Sequence, residues 1–303
     1  MRILVTGGAG FIGSNLANEL SKKHKVIAID NLFLGDPKNL NKKVKFYKMD
    51  TRDFKKINDD FMAPRLKGSE YIMEIPVFKN IDYIFHLGNA SSNPMYTENL
   101  SRAWSMTVDG FIEVLKFAIN NNVKKLIYAS TSSIYGPETY YTLALSTIER
   151  LANLSPIETI GLRFFSVYGP NESHKGKYAN VVTQFLWAMS KNKRPIVYGD
   201  GSQTRDFIYV EDIVKGCILA MKKGRKGVYD LGTGKSYTFN QVIKMLNEKL
   251  GTNIKPKYVP NPIKRYVFHT LCKDFRAREE FGFEPKISLD EGMDRIIDFY
   301  LNR

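Results

Sequence analysis

Strand-length apolar runs and stretches of helical periodicity alternate through the first half of the chain: RILVT, FIGSNLANEL, KVIAID, VKFYKMD, IDYIFHLG, FIEVLKFAI and KKLIYAS. Runs that are apolar throughout belong to strands buried on both faces, and such strands spaced by amphipathic helices build a parallel sheet covered on either side. The order therefore predicts an α/β fold with a Rossmann-type doubly wound parallel sheet. After IETIGLRFFSVYGP the pattern changes to turns and short strands, with helical periodicity in ANVVTQFLWAMSK, VEDIVKGCILAMK, FNQVIKMLNEKL and LDEGMDRIIDFYL. The expected division is a first domain over residues 1–165 and a smaller α/β domain over 166–303, with part of 204–222 packing back on the first. The segment NDDFMAPRLKGSEYIMEIPVFKN breaks the rhythm, and its Pro64 and Pro76 bracket a loop or short insertion.

A chain of 303 residues with 43% hydrophobic content can bury a substantial core. No apolar run approaches the roughly 20 residues of a membrane span, and MRILVTGG passes from methionine into a strand without a signal-peptide pattern. The expectation is a cytoplasmic protein with no membrane partner. Cys217 and Cys272 are two unclustered cysteines in apolar surroundings and read as packing residues, with no metal implied. The formal charge of +14 attracts phosphates of any kind. Its lysines are scattered through KKHK, NKKVK, VKK and KKGRK, with no arginine-rich helix or basic aromatic stripe, so a solvated surface is favoured over nucleic-acid binding.

RILVT runs directly into Gly7, Gly8, Ala9, Gly10, Phe11, Ile12 and Gly13, a G-x-x-G-x-x-G spacing at the mouth of a helix. Glycines there permit a tight turn and close backbone approach, and a helix amino terminus offers unpaired N–H groups to a pyrophosphate. Asp30 ends the next strand, where its carboxylate can accept both hydroxyls of an adenosine ribose and repel the extra phosphate of NADP. NAD is thus the expected cofactor, with Asn31 beside that acid. Asp50 and Thr51 end the following strand, suited to an adenine amine, and Leu87, Gly88 and Asn89 end the one after it.

With VTGGAGFIGSNL, DNLFLG, HLG, YASTSSIYG, LRFFSVYGP, VYGDGSQTRDFIYVEDIV, YDLGTG and FGFEP in this order, the chain resembles the extended short-chain dehydrogenase/reductase family, most closely its NAD-dependent nucleotide-sugar epimerases of the UDP-glucose 4-epimerase type. The resemblance implies an NAD-binding first domain, a second domain for a UDP-sugar or other nucleotide sugar, and a homodimer formed through helices. It also implies C4 epimerisation through a 4-keto sugar, with Tyr141 as the proton-abstracting tyrosine and Thr131 as the hydroxyl that shares the proton, Ser132 standing in reserve. Phe165 matches the residue bordering the nicotinamide. Ser166, Asn180 and Tyr198 fall to the substrate, and Arg205 to its diphosphate, a task suited to a planar guanidinium. Ion pairing with Asp206 or Asp200 is the alternative for Arg205, and Lys264 or Arg265 could supply a second phosphate contact.

One position departs from the pattern Y-x-x-x-K-x-x-x-E. Tyr141 and Glu149 keep their spacing, but the lysine that would bind the nicotinamide ribose and lower the tyrosine pKa is Leu145. A phenol of pKa about 10 is only about 0.1% ionised at pH 7, roughly 4 kcal/mol short of full ionisation. A cation about 5 Å away supplies roughly 3 kcal/mol at an effective dielectric of about 20. Its loss should slow proton removal by something like two orders of magnitude. Arg150 and Lys124 could replace it, although solvent-exposed charge is the better reading of both. The bridge from Gly136 to Tyr140 is short, and Pro156 stops the helix after Tyr141 early. A catalytically weakened NAD and nucleotide-sugar binding protein is therefore one alternative. A dehydratase or ketoreductase is another, disfavoured because STSSIYG carries no acid pair.

Overall fold

The computed structural model describes residues 1–62 and 75–302. Its first half runs β1 (Arg2–Thr6), α1 (Phe11–Leu20), β2 (Lys25–Asp30), β3 (Lys45–Lys48), α2 (Phe54–Met62), β4 (Tyr83–His86), α3 (Asn93–Glu98), α4 (Leu100–Trp104), α5 (Gly110–Asn120), β5 (Lys125–Thr131), α6 (Tyr140–Leu154) and β6 (Glu158–Phe164). The second half runs β7 (Ser166–Tyr168), α7 (Val181–Met189), β8 (Ile196–Tyr198), β9 (Thr204–Arg205), β10 (Phe207–Tyr209), α8 (Val210–Lys223), β11 (Gly227–Leu231), β12 (Tyr237–Thr238), α9 (Phe239–Leu250), β13 (Lys257–Val259), α10 (Arg276–Phe281) and α11 (Leu289–Leu301).

Seven strands pair in the order β11-β6-β5-β4-β1-β2-β3, every neighbour parallel. The chain reverses its winding between β1 and β4, and a crevice opens there above the carboxyl ends of the strands, the place where doubly wound sheets bind ligands. One apolar body, including Leu16, Ala17, Cys217 and Ala220, packs α1 and α8 on one face of the sheet. Another, including Phe54, Phe111, Phe117, Leu145 and Ile148, packs α2, α5 and α6 on the other. A third, around Tyr168, Phe185, Phe207 and Met293, is the core of the carboxy-terminal part. The sequence reading placed Gly227–Leu231 with the second domain. The structure pairs it with β6, Leu231 opposite Phe164, so the first sheet takes its last strand from beyond residue 165.

Helix α2 reaches Met62, so the start of the irregular segment is helical, and Pro76 lies in a single turn over Ile75–Phe78. Pro64 lies outside the described residues. Helix α6 begins with a reciprocal cap between Thr139 and Thr142 and ends at Leu154, two residues before Pro156. No described helix is long and apolar enough to cross a membrane. Cys217 and Cys272 are both buried and free, and no metal-binding cluster occurs among the described residues.

Candidate active site

A cleft of about 470 Å³ lies over the β1/β4 reversal and extends toward the second unit. At one end the glycine turn is shaped by contact. A Cβ on Gly13 would run into the carbonyl oxygen of Gly7, whereas a Cβ on Gly10 would meet only Gly7 and otherwise open space. The first turn of α1 carries no side-chain cap and no acidic residue, so its N–H groups face the cleft free of any side-chain acceptor. Gly7, Phe11 and Ile12 line the wall beside it.

The Asp30 carboxylate accepts from the N–H groups of Ala9 (3.1 Å) and Leu32 (2.8 Å). Burial raises its pKa against those donors, and its remaining acceptor sites face the cleft. Asn31 and Thr51 line the same end. Asp50 does not. Its carboxylate takes two hydrogen bonds from the Arg52 guanidinium (2.8 Å each) and one from the Asn31 amide (2.8 Å). Burial pushes that carboxyl up, but the Arg52 and Asn31 bonds hold it at about 2. The expectation that Asp50 meets an adenine is corrected by the structure, because its acceptor sites are taken by Arg52 on its own loop and by Asn31 at the end of β2.

Leu87, Gly88 and Asn89 form the floor of the cleft. The Thr6 hydroxyl lies 2.9 Å from His86 Nδ1, and His86 Nε2 lies 2.9 Å from Asn89 Oδ1. Burial lowers the His86 pKa to about 4, so the ring is neutral and donates once while accepting once. Asn89 in turn donates to the Ala129 carbonyl (3.1 Å), which pins β4 to β5 two residues before Thr131.

Where this floor meets the second unit, Tyr141 lines the cleft while Tyr140, 57% exposed, turns to solvent. Tyr141 and Thr131 are neighbours in the wall, and burial raises the Tyr141 pKa while the nearby Thr131 hydroxyl works against that rise. Thr131 also accepts from the Ser133 N–H (3.1 Å), and Ser132 lies beside it in the wall. Tyr96 packs on Tyr141 with ring centroids 5.6 Å apart. Leu145 is 2% exposed and shares the wall with Tyr141. Neither proposed cation reaches the tyrosine. Lys124 pairs with Asp82 (2.8 Å) at the far end of β5, about 20 Å of strand from Thr131. Arg150 is exposed about 13 Å along α6 from Tyr141.

Beneath this end lies a polar lattice that ties four segments together. Arg163 forks onto Glu149 (2.9 and 2.7 Å) and reaches the Tyr135 hydroxyl (2.8 Å), which donates to Asp230 (2.9 Å). Glu149 also accepts from Ser130 (2.6 Å). The glutamate of the tyrosine motif therefore anchors β5, next to Thr131, to α6.

At the other end, Phe165 lines the cleft with its ring against Gly232. Arg205 stacks on Tyr266 (5.0 Å) and Phe239 (5.6 Å) and donates to the carbonyls of Thr204 (2.8 Å) and Phe268 (3.1 Å). It pairs with neither acid considered for it: Asp206 accepts from Thr233, Gly234 and Cys272, and Asp200 from Ser202. Its guanidinium is thus held on rings with donors to spare. Ser166 and Asn180 line the same wall, but Asn180 is engaged internally, donating to Ser166 (3.1 Å) and the Val167 carbonyl (2.9 Å) and capping Val182 (3.0 Å). Its backbone N–H goes to Glu172 (2.7 Å). Asn180 therefore shapes the wall, and its N–H groups are not offered to a ligand. Tyr198 does not line the cleft. In β8 only Val197 points into the core, which turns Ile196 and Tyr198 outward.

Sequence reasoning missed two groups of residues. Ile263, Tyr266 and Val267 roof the Arg205 end together with Arg265, which the sequence did offer as a phosphate contact, and Arg265 donates to the Glu138 carbonyl (2.9 Å), so the short Gly136–Tyr140 bridge is covered from the carboxy-terminal part. Lys264 is not in the wall. His174, Lys175 and Tyr178 line the cofactor end from the second unit. Both groups lie far in sequence from the motifs they complete, and spacing gave no signal for them.

The profile of the NAD dependent epimerase/dehydratase family matches residues 3–232. A Thermotoga maritima UDP-glucose 4-epimerase, solved with UDP-glucose, superposes with a TM-score of 0.88 at 31% identity, over 100% of this chain and 99% of that one. A Thermus thermophilus UDP-glucose 4-epimerase, solved in complex with NAD, gives a TM-score of 0.86 at 25% identity, over 99% and 98%. UDP-glucuronic acid decarboxylase 1 of Arabidopsis thaliana is 30% identical over an alignment that covers 100% of this chain and 70% of that protein. NAD fits the uncapped helix, the open face of Gly10 and the free acceptor sites of Asp30. On sequence, fold and cofactor cleft together, the chain belongs to the NAD dependent epimerase/dehydratase family.

Proposed function

We propose that the protein interconverts nucleotide sugars that differ at C4, by way of a 4-keto sugar, with Tyr141 as the base. The observation that carries this reading is the placing of Tyr141 and Thr131 side by side in the cleft wall, between the cofactor floor and the second unit. NAD, when bound, supplies the hydride acceptor and returns the hydride to the sugar's other face. Tyr141 takes the proton of the 4-hydroxyl, and Thr131, its neighbour in the wall, shares it. Arg205, stacked on Tyr266, holds the diphosphate while the sugar turns. The roof from Ile263 to Val267 keeps water from the keto sugar. Incubation with UDP-glucose, UDP-glucuronate and UDP-N-acetylglucosamine, followed by proton NMR, tests the reading. Formation of the 4-epimer of one of them supports it, and no conversion of any by NAD-loaded protein sinks it.

A second reading rests on Leu145: an NAD and nucleotide-sugar binding protein of the same fold whose chemistry is slowed because a leucine stands where the family lysine would support Tyr141. A dehydratase or reductase has less support, since Asp30 is the one carboxylate among the described residues lining the cleft. The proposal includes a homodimer, supported by Leu143 and Leu154, which are exposed on α6. Sedimentation of the protein as a monomer at micromolar concentration would remove that part.

A further inference from the structure

We propose that residues 170–178 form a strap that retains NAD and that Lys175 is the strap's ligand for the pyrophosphate. The strap is rooted in the second unit by Glu172, a fully buried carboxylate that accepts from the Asn180 N–H (2.7 Å), the Thr183 hydroxyl (2.7 Å) and Lys175 (3.1 Å). From that root it crosses the mouth of the cleft. The Pro170 carbonyl accepts from Asn15 on α1 (3.1 Å), and His174 Nδ1 lies 3.1 Å from the Asn39 amide. Its far end, Lys177 and Tyr178, reaches Glu98 on α3 at 2.8 and 2.5 Å. Helices α1 and α3 belong to opposite faces of the sheet, so these contacts span the crevice from side to side. Gly176, at φ 50°, makes the bend that lets Lys175 and Tyr178 both face inward.

Lys175 is placed to meet an anion. Its Nζ lies 5.3 Å from the centroid of Phe11, the first residue of α1, above the uncapped and acid-free first turn. An ammonium has three donors and Glu172 takes one, which leaves two for the cleft. A lysine facing a helix amino terminus makes two positive ends, and a pyrophosphate is the complement of both. Among the described residues a leucine, Leu145, thus stands at the nicotinamide end where a cation would, and Lys175 stands at the phosphates. A cofactor seated under this strap leaves only after the Glu98 and Asn39 contacts break, which suits a reaction that regenerates NAD at every turnover.

The test reads cofactor release in the absence of any sugar, so its failure is separate from that of the proposed activity. NAD content after purification, and exchange of bound NAD for labelled NAD, are measured for the wild type, Lys175→Met, Lys175→Arg and Glu98→Ala. Lys175→Met is expected to speed exchange about tenfold or more, the loss of one charge-assisted contact, and Lys175→Arg to stay close to wild type. Glu98→Ala, which only frees the strap's far end, is expected to speed exchange as well. Wild-type exchange rates in folded Lys175→Met overturn the phosphate role, and wild-type rates in Glu98→Ala overturn the strap. Should Lys175→Met fail to fold, a Lys175→Arg protein that exchanges as fast as Glu98→Ala also overturns the phosphate role.

Discussion

Leu145 follows Tyr141 by one turn of α6 and sits in the same wall of the cleft, buried among Ile148, Ala144 and Tyr128 in the core beneath. An apolar side chain therefore occupies the place from which a cation would stabilise the phenolate. Leu145→Lys is expected to raise kcat for nucleotide-sugar conversion about a hundredfold, the value of one charge at about 5 Å. Unchanged turnover in a variant that still binds the nucleotide sugar would favour the binding-protein reading.

The activity should climb with pH. Burial raises the Tyr141 pKa, so at neutral pH the base form is scarce, and its fraction grows about tenfold per pH unit until the raised pKa is passed. A profile of kcat/KM from pH 6 to 10 is expected to rise across the neutral and alkaline range without a plateau below about pH 9. In Leu145→Lys the rise should move to lower pH. A flat wild-type profile would exclude the Tyr141 phenolate as the base.

Arg205 is held by rings and carbonyls rather than by a carboxylate, so its charge is available to a diphosphate. Arg205→Met is expected to weaken UDP binding about tenfold to a hundredfold, as for the loss of charged hydrogen bonds worth about 1.5–3 kcal/mol. NAD content should stay near wild type. Calorimetric titration with UDP checks the first, and cofactor assay the second.

Asp230 provides a handle on stability. Burial raises its pKa from 3.8 to about 6, against the Tyr135 bond and the nearby Arg163. The folded state then holds this proton through a window in which the unfolded chain has lost it. The contribution is present below about pH 4 and falls away as pH rises through about 6, by about 1–2 kcal/mol once solvent screening is allowed for. Asp230→Asn removes the titration, so the Tm of the variant should gain on that of the wild type between pH 4 and 7. A constant difference across that range would contradict the raised pKa.

The sheet is legible because β1, β2, β4 and β5 are apolar on both faces, a pattern imposed by burial itself. The glycine turn and Asp30 are legible because their geometry is local. Asp50 looked equally local, yet Arg52 two residues on takes its oxygens, and motif spacing does not report such competition. Tyr198 was misplaced because a three-residue strand is too short for its alternation to show which way it faces. The strap, the roof around Tyr266 and the last strand depend on contacts across long stretches of chain, which no local pattern encodes.

Strand β11 carries a consequence for biosynthesis. Because Leu231 pairs with Phe164, the central sheet closes only after 66 intervening positions have been translated, and the hydrophobic edge of β6 stays uncovered until then. A ribosome-stalled chain ending near residue 165 would expose that edge to any strand it met. Nascent chains halted there should aggregate or recruit chaperones, whereas chains carried past residue 231 should resist protease.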